Sequence, residues 1–303
     1  MFRQLYKQPL KLMRQNTEFY VARLIAFVIV ILSMTCEASL RAGSVGADFA
    51  QSTLDKAQAL TARYAGSPSE AQAIQKKDKE IQALINETSK QLSQMSETDR
   101  IDYVEYMATK LAKYGSNNKN DSETGEAALV FISAGPSLGE IAAGGGRLLS
   151  SNDPALQNTG QQLLKIDEVK LPSGEMGHDI STYNLALHDP KVPQDRLIGV
   201  MFKVAPVETA QWLADHADLP ANDRAGLQSD LQQAWKLHHA PYGPAPDSET
   251  KATLALWLNS PSWILRSLAN GLLQKHQEWQ TSDLKKAMQP VQVPTGLQIT
   301  PGQ

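Results

Sequence analysis

Gly135-Pro-Ser137-Leu-Gly139 has the spacing of a nucleophile elbow, in which flanking glycines let a strained strand-to-helix turn expose the serine. Such a serine attacks acyl groups only when a base takes its proton, normally a histidine oriented by a carboxylate. Asp179, His188, Asp215 and His216 lie downstream as candidate partners. A second kind of chemistry would come from histidine and aspartate pairs. His178-Asp179 and His188-Asp189 bracket one short helical segment, and His238-His239 ends another, which makes His178 and His188 the candidate metal ligands. Their spacing is poor for one helical face, where ligands at i and i+4 point together. Helix caps at Asp179 and Asp189, and cationic side chains at a helix C-terminus for His238 and His239, account for the same residues without metal. Gly144-Gly-Gly146-Arg147 lacks the Lys-Ser/Thr of a phosphate loop and reads as a loop between helices. No motif calls for a cofactor.

An elbow is useful only where a sheet presents it. Leu129-Val-Phe-Ile132 would be the strand leading in and Leu138 to Ala143 the helix leading out. The run Gly-Pro-Ser-Leu-Gly-Glu from Gly135 to Glu140 is similar to the Gly-His-Ser-Leu-Gly-Glu signature of acyltransferases, with Pro136 where that family has histidine. The resemblance implies a serine acyl hydrolase or acyltransferase using Ser137. That fold needs several parallel strands before the elbow, and no series of buried Val/Ile runs supplies them.

The preceding text is helical instead. Phe49, Leu54, Ala57, Leu60 and Tyr64 recur at three- and four-residue steps; Ile74, Ile81, Leu84, Ile85, Leu92 and Met95 form a narrow stripe; Ile101, Val104, Met107, Leu111 and Tyr114 form a third, opened by a cap at Ser96 and Asp99. Stripes joined by short turns must be buried against one another, so residues 39–115 are expected to form an antiparallel bundle or coiled-coil hairpin. Residues 116–125 contain no apolar side chain larger than glycine and read as a polar linker.

Residues 126–288 carry a faint repeat. Asn152-Asp-Pro154, His188-Asp-Pro190 and Asn259-Ser-Pro261 each place a polar cap before a proline, at intervals near 36 residues or twice that, with Asn222-Asp223 at the missing step. Second helices are expected at Val207 to His216, Ser248 to Leu258 and Ser282 to Met288. The pattern resembles the HEAT family of helical repeats, best at Ser260 to Leu273, where Arg266 stands at the family's arginine position. This implies a solenoid that binds other macromolecules. The fold class is therefore all-α, a bundle followed by a HEAT-like domain. The uncharged residues 289–303, with three prolines, read as an extended tail or a surface strap.

The first 38 residues carry five Lys/Arg against two acids and the apolar run Leu24 to Met34, followed by small residues for cleavage after Ala38. This is the layout of a secretory signal. The alternative is an uncleaved anchor, with residues 21–36 as a membrane tether; the start codon is Met1 or Met13. Loss of the signal leaves 24 basic and 30 acidic side chains and removes Cys36, the one cysteine. An acidic chain has no electrostatic reason to bind nucleic acid, and one without cysteine is held by buried apolar area rather than disulfides. The expectation is an exported, periplasmic or secreted helical protein that binds or scaffolds another envelope protein and is not an enzyme.

Overall fold

The computed structural model describes residues 44–64, 71–115, 121–170 and 176–299. The expected export signal with Cys36, the possible tether at 21–36, residues 116–120 of the expected linker and the last four residues of the tail lie outside them. Among the described residues the fold is all-α apart from one two-stranded hairpin. It divides into two compact units: residues through Pro136 with Ser151–Gln162, and Ser137–Ser150 with Leu163 onward.

In the first unit, α1 (Val45–Tyr64), α2 (Ala71–Leu92) and α3 (Glu97–Gly115) fall where the apolar stripes predict. Ser96 caps α3, its hydroxyl accepting the Asp99 N–H at 3.2 Å. A fourth helix, α4 (Asp121–Ser133), completes the core and corrects two expectations. The polar run does not extend as a linker to residue 125, because helix begins at Asp121; and Leu129 to Ile132 is helix, not a strand feeding an elbow. The physical reason is the stripe of Ala127, Val130, Phe131 and Ala134, which is buried with Leu54 of α1, Ile81 of α2 and Tyr103 of α3. α4 therefore belongs to the bundle instead of opening the second domain, and the division between units moves past it. Glu126 ties three helices together, pairing with Lys77 of α2 and accepting from the Thr61 hydroxyl of α1. α1 and α3 touch at backbone distance: a Cβ on Gly46 would lie 1.9 Å from the Asp99 carbonyl oxygen. Also assigned to this unit, all but its last residue, is α6 (Pro154–Leu163), with Pro154 at its first position.

The second unit comprises α5 (Leu138–Leu148), the hairpin of β1 (Glu168–Lys170) and β2 (Met176–His178), and α7 (Asn184–His188), α8 (Gln194–Val204), α9 (Pro206–His216), α10 (Ala221–His238), α11 (Ser248–Leu258), α12 (Trp263–Lys275) and α13 (Ser282–Ala287). Short 3-10 turns at Ile180–Tyr183 and Gln277–Trp279 precede α7 and follow α12. Three of these helices, α9, α11 and α13, sit where second helices are expected. The glycines of Gly144-Gly-Gly146 lie inside α5 rather than in a loop; a Cβ on Gly146 would stand 3.0 Å from Val192, so the small residue lets the next segment approach.

The central element is α12. It packs against α8, α9, α10 and α11, and its apolar side chains from Trp263 to Leu273 are buried on nearly every side. Gly271 permits this, since a Cβ there would meet the Phe202 carbonyl oxygen at 2.3 Å and Pro206 Cβ at 2.6 Å. Pro190 and Pro261 do not occupy first helical positions. Pro190 lies in the turn before α8, and α12 begins at Trp263 with Ser262 as its cap. The helices beginning at 154, 194, 221 and 263 are consequently unevenly spaced. The tail acts as a strap: Ile299 forms a bridge with Ala217, and Asp218 N–H donates to the Gln298 carbonyl at 2.9 Å.

Candidate binding surface around the hairpin

Ser137 is the N-cap of α5. Its Oγ accepts the Glu140 N–H at 3.2 Å, and the Glu140 carboxylate accepts the Ser137 N–H at 2.9 Å, a reciprocal capping box. The Gly-x-Ser-x-Gly spacing thus reads here as a cap followed by a helix rather than a strand-fed turn. His188 is exposed, its Nδ1 lying 2.7 Å from the Asn184 carbonyl oxygen of its own helix. It borders an open groove of about 430 Å³, shared with Asp189, Asp195, Thr295 and Gly296. Asp189 does more than cap: its carboxylate accepts the Lys191 N–H and forms a buried ion pair with Arg147 at 2.6 Å, fastening α5 to the turn before α8. Asp179 does cap, accepting the Ser181 N–H at 3.0 Å.

His178 and His188 occupy different surroundings. Among the described residues no three His, Cys, Asp or Glu side chains are placed to share a metal ion. His178 belongs instead to a cluster of charged and aromatic groups assembled from five elements. Glu208, in the first turn of α9, has a side chain only 4% exposed. Its Oε1 accepts the His178 N–H at 3.0 Å and lies 3.4 Å from Nε2 of His238, at the end of α10. Lys275, the last residue of α12, stands 3.4 Å from His238 Nδ1 and 3.3 Å from Glu168 of β1. Glu168 in turn lies 3.9 Å from His178 Nε2 across the hairpin.

Burial holds His238 down to about 4, with Glu208 opposing and Lys275 adding to the fall. His238 is therefore neutral near pH 7, not the cationic helix terminus that its position suggests. Lys275 Nζ lies 3.3 Å from Nε2 and 3.4 Å from Nδ1 of the same ring, beside both nitrogens. Burial also raises the Tyr183 phenol, with Glu208 contributing in the same direction. Glu208 Oε2 and His178 Nδ1 have no hydrogen-bond partner among the described residues.

Over this cluster stands a stack of three rings. Trp279 and His276, both buried, lie parallel at 4.0 Å, and Tyr242 covers the other face of His276 at 4.9 Å. Glu278 braces the stack, meeting His276 Nδ1 at 3.3 Å and accepting the Gly243 N–H at 3.1 Å, which holds its carboxyl below the usual carboxylate range. Tyr242 itself is 64% exposed. Lys275 Nζ lies 5.9 Å from its ring centre and connects it to Glu168. On the hairpin, Val169 is 44% and Met176 52% exposed. No family model, curated protein or solved structure matches this chain.

Chemically, the arrangement is a support of internally paired charges and stacked rings beneath an exposed rim. Apolar and aromatic side chains fixed in place present contact area at little entropic cost. Glu168, Glu208, Tyr242 and Lys275 are absent from the sequence reading. The one local signal is Glu208, an acid in the buried face of a helix; the others gain meaning only from who their neighbours are. Of the five tryptophans, Trp257, Trp263 and Trp279 are buried anchors, while Trp212 and Trp235 are half-buried.

Proposed function

We propose that this chain is exported to the cell envelope and acts there as a non-enzymatic binding or scaffolding protein, with the rim of Tyr242 and Met176 as its recognition surface. The observation that carries the reading is Tyr242, a large aromatic side chain left mostly exposed while one face is stacked on the buried His276 ring, itself stacked on Trp279. Exposed aromatics on a rigid support have the character of interface hot spots. The export layout of the first 38 residues supports the location, and cleavage after Ala38 would free the protein. The resemblance to HEAT repeats adds helix pairs such as α8 with α9 as a binding scaffold. A solenoid contacts only nearest neighbours, however, so the burial of α12 among four helices turns the reading away from one long concave face. Ser137 does not enter the proposal, its hydroxyl being engaged at the cap of α5.

The test places a photo-crosslinking amino acid at position 242 in the full chain, expressed with its export signal. The expected result is a discrete adduct with an envelope protein, lost when Met176→Ser is added. Labelling of Ser137 by a fluorophosphonate probe, or retention of the protein in the cytoplasm, would overturn the reading.

A further inference from the structure

Each strand of the hairpin is tied to a helix by one charged contact. On β2 the Glu208 carboxylate of α9 accepts the His178 N–H at 3.0 Å; on β1 Glu168 meets Lys275 of α12 at 3.3 Å. The two ties meet at His238, whose side chain is 1% exposed. Around its ring stand Glu208 at 3.4 Å, Lys275, His178 of β2, and the next residue His239, edge-on at 4.9 Å. Trp235 lies edge-on at 5.5 Å, and His276 neighbours the His238 backbone. Contact between Lys275 and both ring nitrogens requires an uncharged ring. A neutral imidazole offers an ammonium a lone pair; an imidazolium offers only two N–H donors and a positive charge.

We infer that protonation of the His238 ring expels Lys275 from its place beside Tyr242, untying β1 from α12 while β2 stays tied through Glu208. The consequence for recognition, a rim that loosens in acid, rests on the binding reading above; the latch itself does not. Screening decides which partner moves. Two cations 3.3 Å apart repel strongly when one of them is buried, whereas the attraction of Glu168 for Lys275 is weakened by water, the glutamate side chain being 41% exposed. His238 stays, because it is enclosed and once charged gains Glu208 as an opposite charge. Lys275 leaves, because it ends α12, is only 15% exposed but borders solvent, and carries its ammonium on a flexible stem. Its departure takes the cation away from the Tyr242 ring, 5.9 Å distant in the latched state, and removes the charge that opposes protonation. Proton binding and release of Lys275 therefore favour one another. Burial, opposed by Glu208 and aided by Lys275, holds the latched ring down to about 4, so the latch is shut at neutral pH and opens in acid.

The test is an NMR titration of the full exported chain, labelled with carbon-13 at lysine Cε and histidine Cε1, as the pH is lowered. The expected result is that the Lys275 signal, displaced by neighbouring rings in the latched state, moves to the position of a free lysine with the midpoint of His238. The indole N–H of buried Trp257 keeps its folded position meanwhile. In Lys275→Met, which keeps the stem without the charge, the His238 midpoint should rise by about one pH unit. Glu168→Gln should leave the Lys275 transition in place, whereas His238→Asn should abolish it. A Lys275 signal that stays still, follows His178 instead of His238, or moves only together with Trp257 would overturn the latch. So would its loss in Glu168→Gln or its survival in His238→Asn. None of these results bears on the binding reading, which stands or falls on the crosslink at position 242. The titration of the unsubstituted chain is decisive even where a variant fails to fold.

Discussion

Acidification tests the buried cluster through His238. Its folded-state value near 4 lies below the ordinary histidine value of 6.5, so the unfolded chain binds the proton first as pH falls. The neutral ring's contribution is complete above about pH 6.5, falls between there and 4, and is lost below 4. Integrating the difference between the two titrations from pH 7 to pH 4.5 gives a loss of about 2 kcal/mol, a large share of a domain's stability. With the urea dependence usual for a unit of this size, the unfolding midpoint should move down by about 1 M. Urea unfolding of the full chain followed by tryptophan fluorescence reports this unit alone, since all five tryptophans lie beyond residue 205. His238→Asn should start less stable at pH 7 and lose about 2 kcal/mol less on acidification. Burial lowers His276 too, but it is present in both proteins and cancels in the comparison. Stopping at pH 4.5 keeps clear of the range where Asp247, Glu278 and Asp283, held low by hydrogen bonds and by Lys251, begin to protonate. Parallel pH profiles for the two proteins would refute the claim that His238 is neutral because it is buried beside Lys275.

Two further outcomes follow from packing and capping. Gly271→Ala should cost about 3 kcal/mol or more in the same urea assay, because its Cβ would run into the Phe202 carbonyl and Pro206, whereas Gly199→Ala, with nothing within 4 Å, should be neutral or gain up to about 1 kcal/mol of helix propensity. Ser137→Ala should lose about 1 kcal/mol of stability by thermal melting while leaving partner capture unchanged; an unaltered melting temperature would deny the capping role.

Helices were legible in the residues because their signal is local. A stripe such as Ile101, Val104 and Met107 states its own period, and Ser96 with Asp99 states where α3 begins. Ser248 to Leu258 was legible for the same reason. The division of the chain was not. Nothing in residues 116–125 says that the next helix will pack back onto α1, because that depends on whether Phe131 finds a groove of matching shape beside Tyr103, which the bundle alone provides. The Gly-x-Ser-x-Gly spacing misled in a related way: glycine and serine at those intervals serve a capped helix as readily as an elbow, and the element arriving before the serine decides between them.

The candidate site lies at the far end of this scale. Leu171-Pro-Ser-Gly174 and Gly177 were visible as an interruption of the helical pattern, but no periodicity announces two three-residue strands. Glu168 and Lys275 are 107 residues apart when they pair, and neither carries a local mark of it. By itself the sequence determined the helices whose apolar stripes or caps lie within the chain's own neighbourhood, such as α1 to α3 and α11. Tertiary structure decided that a glutamate from α9, a histidine from α10 and a lysine from α12 meet under a hairpin, since desolvation and charge pairing act through space and have no period to read.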